Sequence, residues 1–454
     1  MLRALSRPLV RGVERYLPGS LVFAVILTFI VGILALALTD AGPVEVVRSW
    51  GDGLTGLLAF MTQMALILLL GYVLANTRPV RRLLNRLAAL PQTPVQAYAF
   101  VTFTAAVASL ITWGLGLVVA ALLSVEVARS ARTRGLRLHY PLLVACGYSG
   151  FVVWHMGYSG SGPLAAATPG SFVDKLVGRT IPVSETIFST WNMLAALAAV
   201  VLVTAAMAML RPGPRDRLVE LPEGARLASE ESSSDGTLDL GDGTVTPAER
   251  IDASRVVTTL AGVALAAYLV IYFAQEGFAL TLDIVNWTFL ALILLLVRSP
   301  KELGGLVADA GRNVGDILLQ FPLYAGILGM MVATGLIEVF SNFFVHISSP
   351  ATLGLWAFLS GGLVNMFVPS GGGQFAVQAP IFFDAAKQLG VDPAVVTMGI
   401  AYGDQWTNMI QPFWAIPLLA IARLRIRDVL GFTTVTLIVS GVVFAVTMVL
   451  VGAG

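Results

Sequence analysis

The sequence has few charged residues and almost no cysteine. Asp, Glu, Lys and Arg make up 12% of its 454 residues, about half the usual share of a soluble domain. The single cysteine, Cys146, excludes an intrachain disulfide and a cysteine metal cluster, and the three histidines have no metal-ligand spacing. The net charge of +1 and the lack of a basic tract give no reason to expect a nucleic-acid partner.

Apolar residues dominate instead. They make up 57% of the chain, and the mean hydropathy is +0.83, which predicts an all-α polytopic membrane protein in contact with the lipid bilayer. A membrane-spanning helix needs about 20 apolar residues. Uninterrupted runs cover residues 20–39, 54–75, 186–210, 256–274, 278–297 and 429–451, and a longer run covers 314–346. Three further apolar regions are interrupted, at 95–128, 141–169 and 352–422.

Two polar segments divide the chain. Residues 1–18 carry an arginine at every fourth position from Arg3 to Arg15, which predicts an amphipathic helix on the cytoplasmic membrane surface or, alternatively, a frayed basic leader. The following run is long enough to be a retained span. Residues 211–255 are rich in Gly, Ser, Asp and Glu and predict a flexible cytoplasmic linker. The predicted divisions are the N-terminal helix (1–18), a first repeat (19–210), the linker (211–255) and a second repeat (256–451).

The distribution of basic residues predicts the topology, because cytoplasmic loops concentrate Lys and Arg. Residues 95–128 are interpreted as a re-entrant hairpin of two half-length helices that enters from the cytoplasm, with its tip at TWGLG (112–116). Residues 352–388 are interpreted as a hairpin from the outside, with its tip at PSGGG (369–373). This arrangement places the N-terminus in the cytoplasm and the C-terminus outside. The basic residues that it leaves outside are Arg48, Lys175, Arg179 and Lys387.

Each hairpin is followed by an interrupted crossing helix, at 141–169 and 393–422. Hairpins that enter from opposite faces predict an inverted-topology repeat with two discontinuous helices, as in many secondary transporters. Broken helices persist in a membrane where they line a cavity, and their ends attract anions and cations. Since no Lys or Arg occurs in 95–128, 141–173, 352–386 or 388–422, helix ends are expected to hold a small carboxylate beside a coupling ion.

Several long motifs resemble the short-chain fatty acid transporter family (AtoE type) of the ion-transporter superfamily. The motifs are NMFVPSGGGQFAVQAP (365–380), AYGDQWTNMIQPFWAIP (401–417), WGDGLTGLLAFMTQMALIL (50–68), ITWGLGLVV (111–119) and YSGSGPLAAATPG (158–170). The resemblance covers nearly the whole chain. It implies uptake of short monocarboxylates such as acetoacetate or butyrate across a bacterial inner membrane. Related dicarboxylate carriers imply a homodimer with a scaffold and an elevator-type transport domain.

The candidate substrate-binding residues lie at the hairpin tips and helix breaks. Three successive glycines weaken a plain spanning helix but allow backbone to approach a ligand; the alternative is a simple glycine-rich kink. The second tip supplies Asn365, Ser370, Gly371, Gly372, Gly373 and Gln374. The first tip supplies Thr112, Trp113, Gly114 and Gly116, and the breaks supply Ser159, Ser161, Gln405, Asn408 and Gln411.

Asp404 is the candidate ion-coupling residue, because a carboxyl group within a membrane is costly and usually faces a functional cavity. It is predicted to carry a proton or to bind Na⁺ near Asn365, and H⁺ is favoured. His155 is a candidate proton relay, with a structural hydrogen bond as the alternative. No other cofactor is expected. Four acidic residues near predicted membrane borders are interpreted as interfacial: Glu126, Asp316, Glu338 and Asp384.

The sequence therefore predicts a secondary active transporter, and other classes stay open. Aromatic residues near the breaks can wall an acyl pocket or serve ordinary packing; they are Trp113, Trp154, Phe367, Phe375, Trp406, Phe413 and Trp414. A sodium-coupled dicarboxylate or amino-acid carrier is the alternative within transport, and a channel suits inverted hairpins less well. An intramembrane enzyme would have to be built from His155 with Ser159 or Ser161, and no catalytic motif surrounds them.

Overall fold

A computed structural model describes residues 20–213, 218–221, 246–312, 314–411 and 413–453. Over these residues the chain is all-helical, without strands. The predicted amphipathic helix 1–18 lies outside the described residues, as does most of the predicted linker.

The first half contains ten α-helices and one 3₁₀ helix among the described residues. They are α1 (Ser20–Leu38), α2 (Pro43–Gly53), α3 (Leu58–Asn76), α4 (Arg78–Leu87), α5 (Pro94–Ile111), α6 (Trp113–Thr133), α7 (Tyr140–Ser149), the 3₁₀ helix Gly150–Met156, α8 (Ser161–Ala167), α9 (Phe172–Val177) and α10 (Thr190–Met209). The short helices α2 and α4 fall between predicted spans, and both begin at a proline near the first turn, where its missing N–H is not needed.

The second half contains eleven α-helices within the described ranges. They are α11 (Pro247–Asp252), α12 (Arg255–Glu276), α13 (Leu282–Leu296), α14 (Pro300–Gly311), α15 (Gly315–Ala333), α16 (Leu336–Ile347), α17 (Leu353–Asn365), α18 (Gly371–Leu389), α19 (Pro393–Thr407), α20 (Ala415–Ala422) and α21 (Ile426–Ala453). The apolar run 314–346 is thus two helices. Gly335, with φ of 74°, takes the left-handed conformation that ends α15 and starts α16.

Eight of the described helices are long and apolar enough to cross a membrane: α1, α3, α5, α6, α10, α12, α15 and α21. The chain is therefore a multi-pass membrane protein. Helices α1 and α12 are mostly exposed, as expected of helices that face lipid, whereas α6 is almost wholly covered by protein.

Helices α5 and α6 form an antiparallel hairpin around Thr112. A Cβ added to Gly116 would lie 2.7 Å from Cα of Ser109, so residues seven positions apart face each other across the turn. The arms have 18 and 21 residues and are longer than the predicted half-length helices. The apolar region ends before Arg129, but α6 continues to Thr133, and Arg129 pairs with Glu126 at 3.2 Å along the helix.

Helices α17 and α18 form a second antiparallel hairpin, joined by residues 366–370. Gln374 Nε2 donates to the Gly361 carbonyl at 2.8 Å, and Gln378 Nε2 donates to Ser360 Oγ at 2.8 Å. Its arms have 13 and 19 residues.

Each hairpin packs against a discontinuous helix. The first runs through α7 and the 3₁₀ helix, breaks at residues 157–160 and resumes as α8. The second runs through α19, breaks after Thr407 and resumes as α20. Helix α17 contacts α19 closely, since a Cβ on Gly361 would lie 3.0 Å from the Ile400 carbonyl oxygen.

Residues 218–221 of the predicted linker bind the start of α7. Tyr140 N donates to the Val219 carbonyl at 2.7 Å, and Val219 N donates to His139 Nδ1 at 3.1 Å. Arg137 pairs with Glu220 at 2.9 Å, and Leu221 is buried. A polar composition does not predict these contacts, which come from the main-chain groups of Val219, one ion pair and the buried Leu221 side chain.

Candidate functional site

One cavity lies where both hairpin turns and both helix breaks meet. Its volume is about 60 Å³, enough for roughly four to six water-sized groups. The hairpins contribute Trp113, Pro369, Ser370, Gly371 and Gly372, and the discontinuous helices contribute Phe151, Trp154, Ser161, Phe413 and Trp414. Helices α3 and α15 complete the wall with Met64, Leu68, Asp316, Ile317, Gln320 and Phe321.

The second hairpin presents a helix N-terminus to this cavity. Ser370 is the N-cap of α18: its Oγ accepts from Gly373 N at 3.2 Å, and its carbonyl accepts from Gln374 N at 2.7 Å. The amides of Gly371 and Gly372, the first two of the helix, have no intrahelical acceptor. They line the cavity, so the positive end of the α18 dipole is available to an anion there.

The three glycines of this turn also allow aromatic rings to approach the backbone. A Cβ on Gly371 would overlap Cη2 of Trp154, and a Cβ on Gly373 would overlap the Tyr324 ring. At Gly372 it would lie 3.0 Å from Cζ of Phe60. The glycines therefore place the N-terminus of α18 between aromatic side chains of three different elements.

The first hairpin turn contacts the cavity through a different group. Trp113 lines the cavity, and its backbone N–H donates to Ser159 Oγ at 3.1 Å. Thr112 and Gly114 instead pack against α3: a Cβ on Gly71 would lie 3.1 Å from Cα of Gly114 and 3.2 Å from Oγ1 of Thr112. Thr112 Oγ1 is buried and has no hydrogen-bond partner in the described structure.

A buried pair joins the two discontinuous helices next to the cavity wall. His155 Nδ1 and Asp404 Oδ2 are 2.8 Å apart, and their side chains are 0% and 1% exposed. His155 Nε2 accepts from Gly162 N at 3.0 Å. Because an amide N–H can only donate, Nε2 carries no proton, and the neutral ring donates its Nδ1 proton to Asp404. The second oxygen, Asp404 Oδ1, has no partner among the described residues.

Two buried amides lie on the hairpin beside this pair. Asn365 Nδ2 donates to Thr407 Oγ1 and Asn408 Oδ1, both at 2.9 Å, and Gln374 Nε2 donates to Gly361. The side-chain oxygens of Asn365 and Gln374 have no hydrogen-bond partner within the described ranges. Buried polar atoms of this kind are uncommon, so their concentration here points to a group that is bound during function.

The structure separates the predicted site residues into two sets. Trp113, Ser161, Ser370, Gly371 and Gly372 line the cavity. The others do not line it and are engaged in polar contacts or helix packing around it: Thr112, Gly114, Gly116, His155, Ser159, Asn365, Gly373, Gln374, Asp404, Gln405, Asn408 and Gln411.

Sequence reasoning missed the α15 wall. Asp316, which the sequence places at a membrane border, lies in the first turn of α15, is exposed, and lines the cavity. Gln320, one helical turn further, lines it as well. The sequence does contain a signal for this wall, since Asp316 and Gln320 are two polar residues four positions apart in an otherwise apolar run.

A bundle of membrane-length helices around a small cavity lined by helix ends is the kind of arrangement found in secondary transporters. The description "Short chain fatty acid transporter" belongs to a family that matches residues 1–451. The chain belongs to this family, as the motifs indicated, and it is a transporter and not an enzyme.

Two bacterial relatives are similar over their whole lengths, and both are named as short-chain fatty acid transporters. A protein of Escherichia coli K12 is 42% identical over 450 residues, covering 99% of this chain and 100% of the relative. A protein of Haemophilus influenzae is 39% identical over 452 residues, covering 98% and 99%.

Two solved structures share the fold. YdaH, a transporter of Alcanivorax borkumensis described as having an unusual topology, gives a TM-score of 0.60 at 14% identity, covering 96% of this chain and 98% of its own. MtrF of Neisseria gonorrhoeae, described with a class of antimetabolite efflux pumps, gives 0.56 at 16% identity, covering 98% and 97%.

Proposed function

We propose that this chain is a secondary active transporter that carries short-chain monocarboxylates, such as butyrate or acetoacetate, across the bacterial inner membrane with a coupling cation. The observation that carries the proposal is the N-terminus of α18 in a small cavity without Lys or Arg in its lining. Unpaired backbone amides bind a carboxylate there without a buried cationic side chain.

The carboxylate is placed at the second hairpin turn. The amides of Gly371 and Gly372 donate to its oxygens. The hydroxyl of Ser370, whose oxygen already accepts from Gly373, donates as well. Ser161, on the opposite discontinuous helix, supplies another hydroxyl. A second carboxylate finds no cationic partner in the lining and meets Asp316, so a dicarboxylate is disfavoured.

An amino acid is the second candidate substrate, because of Asp316. Its carboxylate lines the same cavity, and a ligand ammonium group would find in it an opposite charge. Inhibition of uptake by small amino acids tests this candidate directly.

The coupling cation is assigned to Asp404, and H⁺ is favoured. Both ring nitrogens of His155 are already engaged, so the role proposed for this residue is to orient Asp404 while the proton binds Oδ1. Protonation removes a buried negative charge. One cation per carboxylate also removes the electrical penalty of roughly 2.3 kcal/mol per 100 mV for anion entry.

Na⁺ is the alternative cation, since three buried oxygen atoms could serve as its ligands. Asp404 Oδ1, Asn365 Oδ1 and Gln374 Oε1 all lack hydrogen-bond partners in the described chain. Oxygen atoms beside unwound helix ends are the ligands that sodium-coupled transporters use.

Alternating access is proposed to follow an inverted-repeat, elevator-type scheme in a homodimer. The two hairpins and two discontinuous helices form the moving part, because they meet at the cavity. The arginines of residues 78–86 and 129–137 support a cytoplasmic N-terminus and an external C-terminus. Single cysteines at positions 112 and 370, in a background without Cys146, test the scheme by their labelling from each side. Labelling at both positions that matches residues in the middle of continuous membrane-spanning helices would contradict re-entrant turns.

Uptake by proteoliposomes tests the main proposal. Labelled butyrate, acetoacetate, succinate and alanine are offered under imposed H⁺ or Na⁺ gradients. We expect concentrative uptake of the two monocarboxylates, driven by an inward proton gradient. Uptake of succinate without uptake of either monocarboxylate would refute the substrate assignment. Uptake that neither gradient changes would refute the coupling.

A further inference from the structure

Three tryptophans of the cavity wall have indole N–H groups without acceptors. They are Trp113 of the first hairpin, Trp154 of the first discontinuous helix and Trp414 of the second. In each, Nε1 is buried and has no hydrogen-bond partner in the described part of the structure. Trp406 shows the ordinary arrangement, since its Nε1 donates to the Leu437 carbonyl at 2.7 Å.

Unpaired buried donors are uncommon in native structures, so three around one cavity require a reason. A fourth such indole among the described residues, Trp50, lies against Gly326 and does not line the cavity. The three cavity indoles come from three separate elements. The unpaired N–H groups therefore do not result from one badly packed helix.

The indoles form a continuous wall that starts at the second hairpin turn. The ring of Trp154 touches Gly371. Its centroid is 6.1 Å from that of Trp113, which is 5.2 Å from that of Trp414. Phe151 fills the space between, 5.8 Å from Trp154 and 6.3 Å from Trp414. A carboxylate on the amides of Gly371 and Gly372 therefore directs its carbon chain along aromatic rings that carry hydrogen-bond donors.

We propose that the cavity selects short acids with a second oxygen on the carbon chain, the oxo and hydroxy acids, over plain fatty acids. The indole N–H groups of Trp113 and Trp414 donate to that oxygen. The proposal rests on the function proposed above, with the carboxylate at the turn. A plain acyl chain leaves these donors unpaired, and a site built to hydrogen-bond a substrate oxygen discriminates against the analogue that lacks it.

Neutral donors suit this role. An indole N–H donates and never accepts, so it favours a carbonyl or hydroxyl oxygen over an amino group. It also carries no charge that would hold the acid too tightly for release. The surrounding rings still accept the apolar carbons, so a plain fatty acid remains a weaker ligand.

The test compares binding of butyrate, 3-oxobutanoate and 3-hydroxybutanoate to the purified full-length protein, with proteoliposome uptake alongside. Trp113 and Trp414 are replaced one at a time by benzothienylalanine, which keeps the ring size and removes the N–H. The same replacement at Trp287, a half-buried residue of α13 outside the cavity lining, is the matched control.

We expect the unmodified protein and the control to bind the two oxygenated acids about tenfold more tightly than butyrate. Each cavity replacement should reduce that preference to about threefold or less by weakening the binding of the two oxygenated acids. Equal affinities in the unmodified protein, or a preference that survives both replacements, would overturn the inference.

Two further outcomes separate this inference from the proposed function. An equal loss of affinity for all three acids would mean that the indoles hold the carboxylate, which overturns the inference and leaves monocarboxylate transport intact. No binding or uptake of any monocarboxylate by the unmodified protein would overturn the proposed function, and the inference with it.

Discussion

The two hairpin turns reach the same cavity but contact it with different groups. The second turn presents the amides of Gly371 and Gly372 and the hydroxyl of Ser370. The first presents the ring of Trp113, while Thr112 packs on α3. The turns also differ in length and capping: residues 366–370 join α17 to α18 and end in Ser370, whose side chain caps α18, whereas Thr112 alone separates α5 from α6 and makes no side-chain cap hydrogen bond. Similar hairpins in the two halves thus contribute different groups to the cavity, backbone amides and a hydroxyl in one and an indole ring in the other.

Glycine to alanine substitutions at the two turns should give the largest contrast. In Gly371→Ala the new Cβ overlaps Trp154, which displaces the amides of α18 from the cavity. We expect uptake to fall at least 100-fold with the protein still folded in detergent. In Gly114→Ala the new Cβ lies 3.3 Å from Cα of Gly71, so a small shift accommodates it. Uptake by Gly114→Ala should fall by no more than about tenfold. Losses of similar size in the two variants would argue that the two turns have equal roles.

The buried pair of His155 and Asp404 joins the two halves of the chain, and substitution of Asp404 tests whether this pair takes part in ion coupling. Asp404→Asn removes the charged oxygen that is proposed to bind the cation. We expect concentrative uptake driven by a proton gradient to fall at least tenfold, while exchange of internal for external substrate is retained.

The control for this prediction is Asp384→Asn, which changes a half-buried carboxyl on α18 that accepts from Ser341 and Gln388. It should leave gradient-driven uptake within about threefold of the unmodified protein. Accumulation unchanged in Asp404→Asn would refute its role in coupling.

Sequence reasoning located the helix breaks but not the orientation of their side chains. Glycine, proline and polar residues interrupt apolar runs, which is a local signal and predicts where α18 begins. The rotation of Thr112 towards Gly71 is set by close packing between two helices, and no periodicity encodes it. The His155–Asp404 contact joins residues 249 positions apart. Asp316 and Gln320 belong to an unbroken helix, so the pattern that predicted the site passed over them.

Serine to alanine substitutions test the polar groups at each turn. Ser370→Ala removes the N-cap of α18 and a proposed substrate donor, so substrate affinity should fall about tenfold. Ser159→Ala removes the acceptor of Trp113 N, which should cost about 1 kcal/mol of stability and change affinity less than threefold. Ligand binding and thermal unfolding in detergent separate the two effects. An affinity loss at Ser159 as large as that at Ser370 would place substrate at the first turn as well.

Thr112→Val should have the smallest effect, and it bears most directly on whether the turns are equivalent. The Thr112 hydroxyl is a candidate substrate donor by sequence, but it is buried against α3 and has no hydrogen-bond partner in the described structure. Valine keeps the branched shape and removes a buried polar atom without an acceptor, so stability should stay the same or rise by up to about 1 kcal/mol. Substrate affinity should change less than twofold in the same binding assay. A loss of tenfold or more would mean that Thr112 turns towards the substrate in another state of the transport cycle, and the two turns would then alternate in holding it.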